Sequence, residues 1–265
     1  IAEKDAIDEG VIPELPTDPE GPTDEDNYTS YSGIFTFEDL WPEQGDYDMN
    51  DVMIRYTSKV YKSILTNRIY KVVDEFTPLH RGGYLVNGFG YNTTNSDISK
   101  VTIESPSYAP KSQYMPGETE AGQSHPTILL FDNMAIFDNK EEKARKYTVT
   151  IQVNDVTSKS ILPPYNPFIF VGSGQARGRE VHLVKYPPTD KADLSLLGTG
   201  KDVSRPEEDL YYVSIDLMPF ALNMPVSEFP IPEEGIRIDE SYPKFTTWVK
   251  SNGAQAKDWY KYPKK

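Results

Sequence analysis

The sequence predicts a mainly β protein, a β-sandwich of jelly-roll-like type with a short C-terminal helix. Three observations carry this. Short runs of alternating or β-branched and aromatic residues recur along the chain. Gly, Pro, Asn and Asp punctuate many of them. Helical patterning is confined to two short stretches.

Residues 1–30 read as an acidic, proline-rich arm. Up to Asp26 there are ten acids against one lysine, with prolines at 13, 16, 19 and 22. Such a segment buries too little apolar surface to offset its ordering entropy. Residues 31–265 read as a single β domain. Ile34, Phe35 and Phe37 lead into Leu40 and Trp41, and Val52, Ile54 and Tyr56 alternate at strand period. Further strands are expected at 69–76, 84–91, 100–104, 127–131, 147–153, 181–186 and 211–217. Residues 140–146 suit a short helix. Residues 243–251 suit a better one, with Ser241 as cap, Pro243 in the first turn and Gly253 as the stop.

The 265 residues suffice for a large core, and 18 tyrosines help to fill it. A net charge of −14 argues against nucleic-acid binding, which needs basic groups to neutralise phosphates. With no cysteine there is no disulfide, thiolate metal site or cysteine nucleophile. The longest apolar runs, such as 128–131, fall far short of the ~20 residues of a membrane-spanning helix.

The stretch richest in chemistry is 37–51. Oxygen-bearing side chains recur at alternate positions, Asp46, Asp48 and Asn50, with Asp51 next to them and Glu38 and Asp39 on the approaching strand. Calcium takes six to eight oxygens, and a tight loop of this spacing aims several at one point. The D-x-D-x-N opening matches an EF-hand, but the sixth position is Asp51 rather than Gly and the twelfth is Thr57 rather than Glu. A bidentate carboxylate must therefore come from elsewhere, with Glu38 or Asp39 placed to give it. The competing interpretation is a solvated acidic turn held by Asx hydrogen bonds.

This stretch resembles the opening of the LruC-type domain family. The likeness continues through Asn87-Gly88-Phe89-Gly90, Leu130-Phe131-Asp132-Asn133, Arg179-Glu180-Val181-His182-Leu183, Pro187-Pro188-Thr189, Gly198-Thr199-Gly200-Lys201-Asp202 and Leu217-Met218-Pro219-Phe220-Ala221. It closes with Trp248, Ser251, Gly253 and Asp258-Trp259-Tyr260, so that it covers roughly residues 32–262 in the expected order. The family is a domain of unknown function in surface proteins of Bacteroides-like bacteria and of spirochaetes. The resemblance implies an exported, extracytoplasmic module, often lipid-anchored, here through an anchor upstream of residue 1. A similar loop in related surface modules is read as calcium-binding, which singles out Glu38, Asp46, Asp48 and Asp51. Met49 stands where an aromatic is usual.

The remaining candidates are weaker. Asp132 and Asn133 end an apolar strand and suit turn capping better than cation binding. Asp190, Asp193 and Asp202 flank a glycine loop and suggest a second cation site only against the default of a polar loop. His182 alternates with Val181 and Leu183 and reads as a structural histidine. Trp41, Trp248 and Trp259 read as core. Arg81 with Gly82-Gly83 is a faint binding-surface signal. Gly172-Ser173-Gly174 and Gly198-Thr199-Gly200-Lys201 match neither a nucleophile elbow nor a P-loop. The expectation is a non-catalytic, calcium-binding surface module whose partner is an extracellular glycan or protein. The rivals are a carbohydrate-active enzyme using paired carboxylates and a structural stalk or assembly domain rigidified by calcium.

Overall fold

The computed structural model describes residues 23–93, 98–156, 161–173 and 176–264. The strands are β1 (Tyr28–Phe37), β2 (Val52–Lys62), β3 (Ile69–His80), β4 (Asn87–Asn92), β5 (Ile98–Glu104), β6 (Thr127–Phe131), β7 (Tyr147–Val156), β8 (Asn166–Ser173), β9 (Ala176–His182) and β10 (Ala221–Met224). They form a six-stranded sheet, β10-β1-β2-β3-β7-β5, and a four-stranded sheet, β6-β4-β8-β9. Pairing is antiparallel throughout. From β3 to β8 each strand changes sheet, which is the jelly-roll alternation, while β1 to β3 form a meander.

The reason for a sandwich is visible in the side-chain alternation. In β2 and β3 buried and half-buried positions alternate, so each strand offers one face to the second layer. Phe89 of β4 is the aromatic hub between the layers. Its ring lies 6.4 Å from Phe35 and from Phe37, 5.5 Å from Phe76 and 6.0 Å from Phe131. Such tilted and edge-on pairs add to burial. Trp41 and Trp259 are each 2 % exposed, so both serve packing.

The structure differs from the sequence reading at several elements, each for a local reason. Pairing begins at Tyr28, opposite Tyr61, so the last residues of the expected arm belong to the sheet. Residues 1–22 of that arm lie outside the described residues. The strand expected at 84–91 starts only at Asn87, because residues 82 and 83 are held against the acidic loop and Tyr84 points to solvent, 97 % exposed. The strand expected at 181–186 ends at His182, where the Tyr186 N–H turns back to the Leu183 carbonyl. Residues 211–217 form isolated bridges, since Tyr212 (φ 55°) and Leu217 (φ 64°) break the extended backbone.

Strands β8 and β10 were not anticipated. β8 carries the continuous apolar run 168–171 rather than an alternating one, because it is buried on both faces. The helix expected at 243–251 is α2 (Phe245–Lys250), which starts two residues late; a separate turn of helix, α1 (Ile238–Ser241), precedes it, so Ser241 ends α1 and does not cap α2. The stop is as expected in kind. The N–H groups of Asn252 (φ 51°) and Gly253 (φ 77°) bond to the carbonyls of Val249 and Trp248, both at 2.9 Å, closing a Schellman motif. Residues 140–146 supply only a 3-10 turn, Glu142–Ala144. No helix among the described residues is long and apolar enough to cross a membrane.

Strand β4 links the acidic loop to the far end of the smaller sheet. Its first residue, Asn87, lies beneath the acidic loop and its last, Asn92, lies about 17 Å along the strand at the far end.

Candidate metal centre

Glu38 and Asp39 directly follow β1, and Asp51 directly precedes β2, so the loop between them is closed by a sheet pairing, Phe37 opposite Val52. Within it the backbone is left-handed at alternate residues: Gly45 (φ 62°), Tyr47 (φ 55°) and Met49 (φ 63°). A bulky residue in that region costs about 1–2 kcal/mol. Burial supplies the compensation, since Tyr47 and Met49 are both 0 % exposed and the Tyr47 ring packs 5.5 Å from Phe220. These two anchors alternate with Asp46, Asp48 and Asn50, the side chains that carry oxygen.

Glu38 is the post around which the loop winds. It is 1 % exposed, and its carboxylate accepts from the Tyr47 N–H (3.1 Å) and the Met49 N–H (2.6 Å). Asp48 accepts from the Asn50 N–H (3.1 Å) and from the Gly235 N–H (2.9 Å) of a distant segment. One oxygen from each of Glu38, Asp46 and Asp48 lies within 4.8 Å of the other two, with Asp46 exposed and the others buried. Asn50 donates its amide to the Pro232 carbonyl (3.2 Å), while its Oδ1 is buried with no hydrogen-bond partner among the described residues.

Asp39 and Asp51 form a second acidic pair behind this group. Asp51 accepts from the Asp39 N–H (2.8 Å), and Asp39 accepts from the Asn87 amide (2.6 Å). Burial holds the carboxyls of Glu38, Asp39 and Asp48 above the ordinary carboxylate range, and neighbouring acids reinforce it. Asp51 is pushed up to about 7, by burial first and then by the Asp39 charge. Among the described residues no Lys or Arg forms an ion pair with these four groups. The cluster therefore favours whatever brings positive charge, a proton or a cation.

Gly82 and Gly83 close the floor. The Gly82 N–H bonds to the carbonyls of Asn50 (3.2 Å) and Asp51 (3.1 Å), and Arg81 donates to the Gly83 carbonyl (2.9 Å) while pairing with Asp138. A Cβ on Gly83 would fall 2.4 Å from Asp39 Oδ2 and 2.8 Å from Asp51 Oδ1. Gly83→Ala is expected to destabilise the fold by about 1–3 kcal/mol, the usual cost of overpacking. Urea unfolding checks this, and an unchanged midpoint would mean that the carboxylates yield freely.

The other expected ligands are occupied elsewhere. Asp132 accepts from the Ser112 hydroxyl (2.5 Å) and the Gln113 N–H (2.8 Å), and Asn133 caps the turn Met134–Phe137 through the Ala135 N–H (2.9 Å). Asp190 accepts from Ser124, Asp193 from Ser195, and Asp202 from Gly198 and Ser204. These three do not converge in any metal-sized group among the described residues. Asn87 and the segment 232–235 escaped sequence reasoning as parts of the site. Asn87 opens a glycine-rich strand, which was a signal, whereas nothing in 232–235 marks it as a neighbour of Asp48.

The chain belongs to the family described as Domain of unknown function (DUF4842), whose model matches residues 67–260. The acidic loop precedes the matched segment. A crystal structure of a candidate lipoprotein from Bacteroides ovatus shares the fold, with a TM-score of 0.62 at 20 % identity, over 94 % of this chain and 79 % of that one. No curated protein matches the chain.

Proposed function

We propose that the loop is a calcium site and that the chain is a calcium-rigidified, non-catalytic module of the cell surface. The observation that carries this reading is the convergence of Glu38, Asp46 and Asp48 oxygens within 4.8 Å, on a loop where Asn50 Oδ1 is buried without a partner. An all-oxygen set suits calcium, and no histidine or cysteine is present in the group to favour zinc. Glu38, Asp46 and Asp48 would hold the ion, with Asn50 and Asp51 beside them. The ion would supply the positive charge that the buried carboxylates lack.

Extracytoplasmic placement and a lipid anchor are supported by the lipoprotein sharing this fold and by the LruC-type block order. Non-catalysis is supported by how the buried acids are used. Glu120 and Glu180 both close on Arg177, so neither is free to act as the acid or nucleophile of a glycosidase. The partner on this reading is an extracellular glycan or protein. Calorimetric titration of chelator-treated protein with calcium tests the metal. Saturable heat at one site per chain is expected, and no heat would reduce the loop to a hydrogen-bonded turn.

A further inference from the structure

At the end of β4 away from the acidic loop lies a cavity of about 420 Å3, open to solvent and bounded by the segments 123–125, 162–166 and 186–190 together with Asn92. This volume falls within the usual range for small-molecule sites, about 300–1,000 Å3. We infer that this cavity binds a neutral sugar ring. The inference rests on the reading of the chain as a binding module and adds the ligand class and its place.

The first support is the side chain of Asn92. It is 6 % exposed and lines the cavity. In β4, Phe89 and Tyr91 face the layer between the sheets, so Asn92 faces the opposite side. It shares that side with its register partner Asn166, whose amide donates to the Pro187 carbonyl (2.8 Å) at the cavity wall. The Asn92 amide is therefore placed to donate to and accept from whatever fills the cavity.

The second support is the effort spent on fixing the wall. Thr189 donates its N–H (2.9 Å) and its hydroxyl (2.7 Å) to Glu180 and accepts from Arg177 (2.6 Å). Arg177 also pairs with Glu120 (2.9 Å) and with Glu180, and His182 bridges Glu180 (2.9 Å) to Asn166 (2.6 Å). Gln123 then accepts from the Asp190 N–H (3.0 Å). Buried ion pairs add little net stability but hold one conformation, and here they hold the segment 187–190. Tyr165 is fixed as well. It is a bulky residue at φ 60°, its hydroxyl donates to Asp74 (2.9 Å), and its ring stacks on Tyr91 at 5.2 Å.

The lining chooses the ligand class. Tyr165, Tyr186 and the prolines 187 and 188 bring apolar groups to the lining. Asn92, His125 and one carboxylate, Asp190, bring hydrogen-bonding groups. No Lys or Arg lines the cavity among the described residues, so it has no fixed cation for phosphate or sulfate. A purely apolar ligand would strand the Asn92 amide. A neutral pyranose has both an apolar ring face and hydroxyls that donate and accept. A single carboxylate lines the cavity, which fits holding a sugar rather than hydrolysing it.

Saturation-transfer NMR with free glucose, galactose, mannose, N-acetylglucosamine and their β-linked disaccharides tests the inference, with sialic acid as the charged comparison. Transfer from at least one neutral sugar is expected, and Asn92→Ala and Tyr186→Ala should each weaken its binding about tenfold, the size of one lost hydrogen bond or stacking face. Amide shift perturbations on the wild-type chain locate the site without relying on either variant. They should cluster at 123–125 and 186–190. Silence from every neutral sugar, preference for sialic acid, or perturbations elsewhere would overturn the assignment. Calcium calorimetry on the same sample separates the two readings. Calcium heat without sugar transfer removes the pocket alone, and transfer without calcium heat removes the metal alone.

Discussion

Asp48→Asn is expected to lose the calcium-induced rise in melting temperature. Binding to the folded state alone stabilises it by mass action, about 2.7 kcal/mol at calcium one hundred times its dissociation constant. For a chain of this size that is a rise of about 5–10 °C. The Asn50 and Gly235 N–H groups bond to different oxygens of Asp48, so asparagine keeps an acceptor for only one of them. It also removes a negative charge that burial and Asp46 disfavour, which offsets part of that loss in the calcium-free protein. Glu38→Gln should cost more, because Glu38 is the buried centre of the loop. Glu38 holds the Tyr47 and Met49 N–H groups with two oxygens, and an amide retains only one acceptor. That variant should lose stability with and without calcium. Thermal melts in chelator and in calcium read both, and an unchanged calcium response in Asp48→Asn would sink the ligand assignment.

How much of this was legible in the sequence depended on whether the signal was local. The D-x-D-x-N spacing is local, and so is the reach of Glu38, because Phe37 and Val52 are paired directly across the loop. The contribution of residues 82–83 and 232–235 is not local. These segments meet the loop only because β3 runs back along β2 and because the chain after β10 returns to pack on Tyr47, where the Ile238 N–H bonds to the Tyr47 carbonyl (2.8 Å). Strand β8 escaped a period-two search because it is buried on both faces. The stretch 211–217 mimicked a strand through its apolar content, and two left-handed residues decided otherwise. His182 shows the limit most plainly. Its alternation with Val181 and Leu183 suggested an outward face, but that face is covered. The ring is 0 % exposed and stacked between Phe168 (4.7 Å) and Tyr212 (5.2 Å). Only the tertiary fold reveals that the residues around it form the wall of a cavity.

The two ends of β4 thus carry different electrostatic solutions. At Asn87 buried carboxylates are gathered with no ion-paired Lys or Arg among the described residues, although Arg179 is near enough to favour the Asp39 charge. At Asn92 the buried acids are neutralised by Arg177, and the remaining polar groups face the cavity. On the readings proposed above, a cation would complete the first arrangement and a neutral hydrogen-bonding ligand the second. A calcium-bound loop would fix the start of β4 through Asp39 and Asn87, leaving the far end to its own network.

Between these ends sits Asp74, and replacing it with Asn should stabilise the protein at neutral pH. Asp74 is 0 % exposed on β3, with Tyr165 (2.9 Å) and Tyr91 (3.2 Å) donating to its two oxygens. Burial pushes its carboxyl from 3.8 up to about 6 in spite of these donors. Both tyrosines are pushed up in turn, by burial and then by the Asp74 charge, so they stay protonated and keep donating. The sign follows from proton counting. Between about pH 4 and pH 6 the folded chain binds more protons at this residue than the unfolded chain, so stability falls as pH rises through that window. Above it the full penalty of about 2–3 kcal/mol stands. Asparagine carries no charge at any pH and has an oxygen for one tyrosine, while the other hydroxyl can turn to accept from its amide. The variant should therefore exceed the parent by about 2 kcal/mol at pH 8, with the advantage shrinking to nothing or reversing near pH 4. Taking the difference between variant and parent removes the contribution of the distant acidic loop, whose groups titrate in both. Urea unfolding at pH 4, 6 and 8 measures it. A variant weaker than the parent at every pH would mean that the two tyrosine hydrogen bonds to the charged carboxylate outweigh its desolvation.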